Sequence, residues 1–343
     1  MEKKNLDWKN LGFDYMPIDK RYVADFKDGA WSEGALSDDP MITMSEDAGV
    51  LQYSQSVFEG LKAYETKDGS IVCFRPDMNA ERMYNSALRL EMPPYPKDKF
   101  VEGVRQVVAA NAAWVPPYGT GATLYIRPYM FGISPVIGVH PAADYHFRIF
   151  GTPVGAYFKG GVKPISVKVS DFDRAAPHGT GNIKAGLNYA MSLHAIALAH
   201  KEGFAENIYL DSATRTKVEE TGGANILFVD RDGKLVVPKS DTILPSVTRR
   251  SLVYVAVNYL GMKVDERPVY WKEVMDGDFT ECGLCGTAAV ISPIGKVNDH
   301  GKEYVFDSGM EESGPVMKKL RATLVGIQDC EIEAPEGWIF KVM

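Results

Sequence analysis

The sequence predicts a mixed α/β (α+β) fold divided into two domains. Three observations carry this expectation. The chain has 343 residues, enough for two separate cores. Short apolar runs bounded by turn residues alternate with stretches whose apolar residues recur at the helical period, so strands and helices are interspersed. Near the middle, Gly151 to Gly161 is rich in glycine and carries two aromatics, which reads as a linker. The expected division is a small α+β domain over 1–151, an interdomain loop over 152–161 and a larger domain over 162–343.

The elements follow in order. Residues 41–75 alternate apolar runs with turn signals: Met41–Met44, Tyr53 to Tyr64, and Ile71–Phe74. They read as antiparallel sheet, with Lys67-Asp68-Gly69-Ser70 as a hairpin turn. Asp77 to Leu90 reads as a helix after Pro76, ended by Pro93-Pro94. Phe100, Val104, Val107, Val108 and Asn111 keep the helical period, giving a second helix from about Lys97 to Val115. Strands are expected at Thr123–Pro128 and Tyr145–Phe150, and beyond the linker at Ile165–Val169. A helix ending near Gly203 would turn Ala190, Leu193, Ile196, Leu198 and Ala199 toward a core. Asn207–Leu210, Ala224–Val229 and Lys234–Val237 alternate like strands, Val247 to Leu260 is helical, Phe279–Ile291 is sheet, and Pro315 opens a last helix to about Val325. No internal repeat or low-complexity segment is present.

Composition excludes several classes. Hydrophobic content of 45% and charged content of 24% are those of a globular protein. A net charge of −7 provides no electrostatic footprint for nucleic acid or an anionic membrane. The uncharged run Val107 to Ile126 is broken by Pro116-Pro117, Gly119 and Gly121, so it reads as a helix end and a turn instead of a membrane span. Met1 to Trp8 has no apolar core of a secretory signal, and a cytoplasmic location is expected. Four cysteines in so long a chain do not form a disulfide scaffold. Cys282-Gly283-Leu284-Cys285 is a CxxC, but a second pair and nearby histidines are lacking, which argues against zinc. On a strand, residues three apart point to opposite faces, which argues against a redox pair.

The chemistry gathers around Gly179-Thr180-Gly181-Asn182-Ile183-Lys184-Ala185-Gly186-Leu187-Asn188-Tyr189. Lys184 stands alone among small and uncharged residues. A lysine drawn into such surroundings loses hydration in its charged form and becomes a nucleophilic amine, the chemistry of a Schiff-base lysine. On this stretch alone, a glycine-rich turn with one exposed lysine is the commoner explanation. The GxxxxGK[ST] spacing of a P-loop is absent, and the glycines only loosely follow a dinucleotide fingerprint. Elsewhere, Arg82 offers a guanidinium that can clasp a phosphate, though such an arginine is more often a surface or salt-bridge residue. Leu244-Pro245-Ser246-Val247-Thr248-Arg249 begins a helix whose free N–H groups make an anion site or simply an ordinary capped start. Gly286-Thr287-Ala288-Ala289 can present amides and a hydroxyl to an anion, or be a tight turn. Glu220, placed just before a strand, could hold a pyridine nitrogen protonated if buried.

Together these stretches resemble the branched-chain amino acid aminotransferases, of the D-amino-acid-aminotransferase-like fold (fold type IV of the pyridoxal-phosphate enzymes). The resemblance runs from about Leu51 to Ile294. It rests on Tyr53 to Tyr64 (YSQSVFEGLKAY), Phe74-Arg75-Pro76 with Arg82, Tyr125-Ile126-Arg127-Pro128, Pro153 to Phe158 (PVGAYF), Gly181 to Lys184, Glu220 through Asn225, and Cys285-Gly286-Thr287-Ala288-Ala289, seven signatures in the family's order. The longer form, with PVGAYF and FRP, looks like the eukaryotic-type subgroup. Animal enzymes of that subgroup carry a redox CxxC just after the GTA turn. Here the turn continues Ala289-Val290-Ile291-Ser292, so redox regulation is not carried over.

The resemblance implies a homodimer with its active site between the domains and pyridoxal 5'-phosphate as cofactor. Lys184 would bond the cofactor aldehyde and, once released, shuttle the substrate Cα proton. Glu220 would pair with the pyridine nitrogen and Tyr189 with the ring hydroxyl oxygen. Arg82, the amides of Val247 and Thr248, and Thr287 would hold the phosphate. The amides of Thr287 and Ala288, with Tyr125, would take the substrate α-carboxylate. Phe13, Tyr53, Phe58, Tyr125 and Tyr157, with Ile137 and Val139 from a partner subunit, would wrap an aliphatic side chain. Arg127 with Tyr53 would anchor the side-chain carboxylate of glutamate. The implied reaction moves the amino group of leucine, isoleucine or valine to 2-oxoglutarate, with no metal, nucleic acid or membrane partner. Tyr125-Ile126-Arg127-Pro128 and the GTAA turn argue against the fold's D-amino acid aminotransferases and aminodeoxychorismate lyases. A binding protein for a phosphorylated ligand is the rival from another class. A Schiff-base aldolase would need eight βα repeats, which the chain lacks.

Overall fold

The computed structural model describes residues 2–155 and 162–343. The chain divides into two units. The first comprises Met1–Tyr157, Ile183–Leu187 and Ile327–Met343, and the second Phe158–Asn182 and Asn188–Gly326. The sequence boundary therefore needs two amendments. Residues 183–187 join the first unit because Ala185 forms a β-bridge with Val57. Residues 327–343 join it because the terminal strand adds to its sheet.

In the first unit, β1 (Arg21–Lys27), β2 (Ala30–Trp31), β3 (Ala35–Ser37), the short helix α1 (Gly49–Tyr53), β4 (Ser56–Phe58), β5 (Leu61–Glu65) and β6 (Ile71–Phe74) precede two helices, α2 (Pro76–Arg89) and α3 (Lys97–Ala110), and then β7 (Thr123–Gly132) and β8 (Tyr145–Val154). Proline at the first helical position of α2 loses no hydrogen bond there. Ala80, Met83 and Ala87 of α2, and Phe100, Val104, Val107 and Val108 of α3, enter one core with the sheet. β7 shows the two-residue period most clearly. Leu124, Ile126 and Met130 are buried, while Tyr125, Arg127 and Tyr129 between them are half-buried on the opposite face. This alternation places Tyr125 and Arg127 off the core side.

In the second unit, β9 (Ile165–Val169) leads through α4 (Gly186–Lys201) to the parallel strand β10 (Glu206–Leu210). Then come β11 (Lys217–Thr221), β12 (Asn225–Asp230), β13 (Leu235–Pro238), α5 (Val247–Asn258), β14 (Val264–Arg267), β15 (Val269–Tyr270), α6 (Trp271–Asp276), β16 (Phe279–Gly286), β17 (Val290–Asp299), β18 (Lys302–Val305) and α7 (Pro315–Gln328). The last strand of the chain, β19 (Ile339–Lys341), pairs with β6 of the first unit. The path β12-β16-β17-β9-β10-β11 returns on itself through a β11–β12 pairing, so six strands close a ring. The closing pair is Glu220 opposite Asn225. Phe228, Ile208, Val167, Ile294 and Cys282 share its core. Glu281 leaves β16 buried and accepts the N–H groups of Val316 and Met317 at 3.0 and 2.9 Å, capping α7 from a distant strand.

Several expectations fail for physical reasons. Met41–Met44 is not a strand: Arg148 donates to the Asp39 and Met41 carbonyls at 3.1 and 3.0 Å, so a guanidinium replaces a ladder there. The expected strand start at Tyr53 is the end of α1. The helix expected to reach Val115 stops at Ala110, followed by a 3-10 turn over Ala112–Trp114. Gly151–Val154 is not linker but the buried end of β8, paired with Thr123 to Ile126. The remaining linker residues 156–161 lie outside the described residues. Helix α4 turns Asn188, Ser192, Ala195 and Ala199 inward, leaving Ala190 and Leu193 exposed, because it is apolar on every side and periodicity cannot choose a face.

Candidate active site

Lys184 is held by its backbone. Its N–H donates to the Ser86 hydroxyl at 3.0 Å, and its carbonyl accepts the Phe58 N–H at 3.0 Å. Ser86 in turn donates to the Arg82 carbonyl one turn back in α2, at 2.8 Å. With both main-chain groups fixed, the half-buried side chain lies with Nζ 4.7 Å from the centre of the Phe58 ring. Arg127 stands 4.8 Å from the same ring, so two cations flank one aromatic. Arg127 also donates to the Tyr125 hydroxyl at 3.1 Å, and its buried Nε has no partner among the described residues. Gly60 permits this arrangement, since a Cβ there would collide with the Tyr125 hydroxyl.

Arg82 is buried, and its Nε and Nη2 each donate at 2.7 Å to one oxygen of Glu59, which is fully buried. Asn79 adds a bond to Glu59 Oε2 at 2.7 Å. One edge of the guanidinium is thus engaged by a carboxylate, which fixes the plane of the group. Sequence reasoning missed Glu59, although it lies within the YSQSVFEG signature, because nothing local ties it to a residue on a later helix.

Other first-unit candidates spread more widely. Tyr53 is exposed and donates its hydroxyl to the Ile137 carbonyl. Ile137 and Val139 are 76% and 88% exposed, so neither side chain has a place in its own unit's core. Phe13 is also exposed, near the point where Gly155 donates to the Gly12 carbonyl. Tyr157 lies outside the described residues.

In the second unit, Thr180 and Asn188 bond twice, side chain to side chain and side chain to carbonyl, each at 2.7 Å. They close the loop on which the chain leaves this unit and returns. Gly181 is confined to glycine because a Cβ would strike the Thr242 carbonyl. Glu220, expected ahead of a strand, is inside β11 and 2% exposed. Its Oε1 accepts from Arg174 Nη2 and from the Leu244 N–H at 2.7 Å, and its Oε2 accepts from Asn225 Nδ2 at 2.6 Å. Burial pushes this carboxyl above its ordinary range, while Arg174, the two amides and Arg249 pull it back toward the anion.

Val247 and Thr248 are buried at the first two positions of α5, whose Ser246 cap accepts the Arg249 N–H on its hydroxyl. Their N–H groups have no acceptor among the described residues. Tyr189, in the first turn of α4, is half-buried. Thr287 and Ala288 occupy the turn between β16 and β17, half-buried.

These groups suit a phosphorylated heterocycle. Two buried helix-end amides await an anion, Glu220 Oε2 retains a lone pair for a ring N–H, and the buried Asn225 Oδ1 beside it has no partner among the described residues.

The chain belongs to the amino-transferases of class IV, whose family model matches residues 56–297. The cofactor of that family is pyridoxal phosphate. The chain is 50% identical to the branched-chain-amino-acid aminotransferase of Haemophilus influenzae, over 99% of both chains. It is 45% identical to that of Helicobacter pylori, over 99% of this chain and 98% of the relative. Among solved structures, the branched-chain amino acid aminotransferase of Escherichia coli superposes with a TM-score of 0.79 at 28% identity, covering 95% of this chain and 100% of that one.

The Glu59–Arg82 pair makes a stability prediction. Glu59→Ala leaves a buried guanidinium without its anion and is expected to cost about 3–5 kcal/mol in chemical denaturation. Adding Arg82→Met should recover part of that loss, and an additive double variant would show the pair is not coupled.

Proposed function

We propose that the protein is a pyridoxal-phosphate-dependent aminotransferase that exchanges the amino group of L-leucine, L-isoleucine or L-valine with 2-oxoglutarate, working as a homodimer in the cytoplasm. The observation that carries the reading is full-length similarity to branched-chain enzymes joined to a lysine clamped at residue 184. Among the described residues no helix is long and apolar enough to cross a membrane.

Bound pyridoxal phosphate supplies an electron-withdrawing ring that takes up negative charge from the substrate Cα. Lys184 would hold the cofactor's aldehyde carbon through Nζ, and the same amine would be the base that moves the substrate Cα proton. Glu220 would hold a proton on the ring nitrogen through Oε2, and Tyr189 would bond the ring oxygen. Arg82, the Val247 and Thr248 amides and Thr287 would hold the phosphate. Tyr125 and the amides of Thr287 and Ala288 take the α-carboxylate. Phe13, Phe58 and Tyr125 would meet the aliphatic side chain, and in such apolar surroundings one methylene changes binding by about 1–3 kcal/mol, so all three branched substrates are accepted. Arg127 anchors the second carboxylate of glutamate, and its unpartnered buried Nε supports this role. Tyr53, bonded to the loop that bears Ile137 and Val139, belongs with them on a surface offered to a second copy.

An amino-donor panel with recorded spectra tests the assignment. Visible absorbance on adding the cofactor, and turnover of L-leucine but not D-alanine, are expected. Lys184→Ala should lose turnover by about 10²–10⁴-fold with its circular dichroism unchanged; wild-type rates in that variant would remove the lysine from the mechanism.

Arg127→Gln is expected to weaken 2-oxoglutarate far more than 2-oxo-4-methylpentanoate, by about 1.5–3 kcal/mol in kcat/KM. Equal losses for both oxo acids would rule out a side-chain anchor. Charge placed on the exposed loop, as in Val139→Asp, should move the sedimentation profile from dimer toward monomer and lower activity with it. A variant that sediments and works as the wild type does would sink the interface.

A further inference from the structure

Among the second unit's groups, one buried cation has no part in the reaction as described above. Arg174 follows β9 at the end of a short loop and is 5% exposed. Its Nη2 serves Glu220 Oε1 and also the carbonyls of Gly181 and Thr242, at 2.7 and 2.9 Å. The loop is braced on both sides of its turn: Arg215 pairs with Asp173 at 3.0 Å and His300 with Asp171 at 2.7 Å. Arg174 is thus delivered to Glu220 by a fixed support.

From this geometry we infer that Arg174 is a positioning residue for the aminotransferase reaction, keeping Glu220 ionised and turned so that Oε2 is the oxygen left to hold the cofactor's ring nitrogen. The inference rests on the functional reading above and deepens it.

The allocation of donors is the argument. Oε1 receives a guanidinium N–H and the Leu244 N–H, while Oε2 receives the Asn225 side chain alone. A carboxylate oxygen accepts two bonds comfortably, so the remaining capacity is on Oε2. Asn225 cannot perform the positioning by itself. It is neutral, and its own Oδ1 is buried without a partner among the described residues. The charged and titratable groups around Glu220 are Arg174 from the β9 loop, Arg249 from α5, the neutral thiol of Cys285 from β16, and Glu219 beside it in β11. Glu219 is buried too and takes hydroxyl bonds from Thr242 and Ser240. Two buried carboxyl groups therefore share the field of Arg174. With that guanidinium removed, burial favours the neutral acid at Glu220. A neutral acid donates a proton where the ring nitrogen needs an acceptor.

The test compares Arg174→Met, Arg174→Lys, Glu220→Gln and Arg174→Met/Glu220→Gln. In the apoprotein at neutral pH, Arg174→Met should gain an infrared band of a protonated carboxyl that the double variant lacks, and Arg174→Lys should not gain it. In the holoenzyme, Arg174→Met should shift the cofactor's absorbance titration toward that of Glu220→Gln, with kcat lower by about 10²-fold and KM for leucine little changed. The double variant should match Glu220→Gln alone. If Arg174→Met does not fold, Arg174→Lys must still show an absorbance titration between wild type and Glu220→Gln. No new carboxyl band, or a wild-type titration in either Arg174 variant, overturns the inference. If the wild-type protein itself takes up no cofactor, the functional reading fails, and the apoprotein band still decides whether Arg174 ionises Glu220.

Discussion

The placement of Lys184 depends on a closed circuit of contacts in the first unit. Glu59 and Arg82 form a buried ion pair, the Arg82 carbonyl accepts from Ser86, the Ser86 hydroxyl accepts the Lys184 N–H, and the Lys184 carbonyl accepts the N–H of Phe58, the residue covalently joined to Glu59. Burying an ion pair rarely adds stability over an apolar replacement, because desolvation cancels most of the attraction. What the pair contributes here is position. It ties β4 to α2, and these two elements grip the main chain on either side of the lysine amine. The backbone does the holding of Lys184.

The second unit treats its buried charge by the same rule but at a different place. The pairing of Glu220 with Asn225 closes the six-stranded ring, so the ring's seam and its buried carboxylate coincide. A seam is where a polar side chain can enter a β structure without interrupting a continuous apolar layer. Leu244 donates its N–H to Glu220 just before α5 begins, which fixes the approach to the two helix-end amides. One carboxylate therefore both closes the seam and fixes the chain where it enters α5.

Much of this was legible in the sequence, and the gaps have physical causes. α3 is amphipathic, with Val104 and Val108 on one face, so its period announced it, and α2 was announced by Pro76 before it and Pro93-Pro94 after it. The 67–70 turn carries an Asp-Gly pair, and the structure places it between β5 and β6. α4 defeated the same reasoning because Met191 and Leu193, which it exposes, are more apolar than the Asn188, Ser192, Ala195 and Ala199 it buries. The strand holding Glu220 was missed because its sequence, Lys217-Val218-Glu219-Glu220-Thr221, is polar; both acids are buried only because hydroxyls, amides and Arg174 come to them from remote loops. Lys184, Glu220, Arg82 and Arg127 were visible as chemistry-bearing residue types. Glu59 and Arg174 were not, since their roles exist only in the distances to partners far along the chain.

The cysteine pair shows why spacing alone does not define chemistry. Cys282 and Cys285 are three apart on β16, and a strand advances about 3.3 Å per residue, so their Cα atoms are about 10 Å apart. A disulfide needs less than about 7 Å. Strand alternation also sends them to opposite faces, Cys282 into the ring's core with Phe228 and Ile294, Cys285 toward Glu220 and Arg249. Burial pushes the Cys285 thiol up to about 12 and Cys282 well above its ordinary value, so neither supplies the thiolate that exchange requires. On a helix or a loop the same four residues would be a redox candidate. In this strand they are small apolar fillers on the two sides of the ring wall.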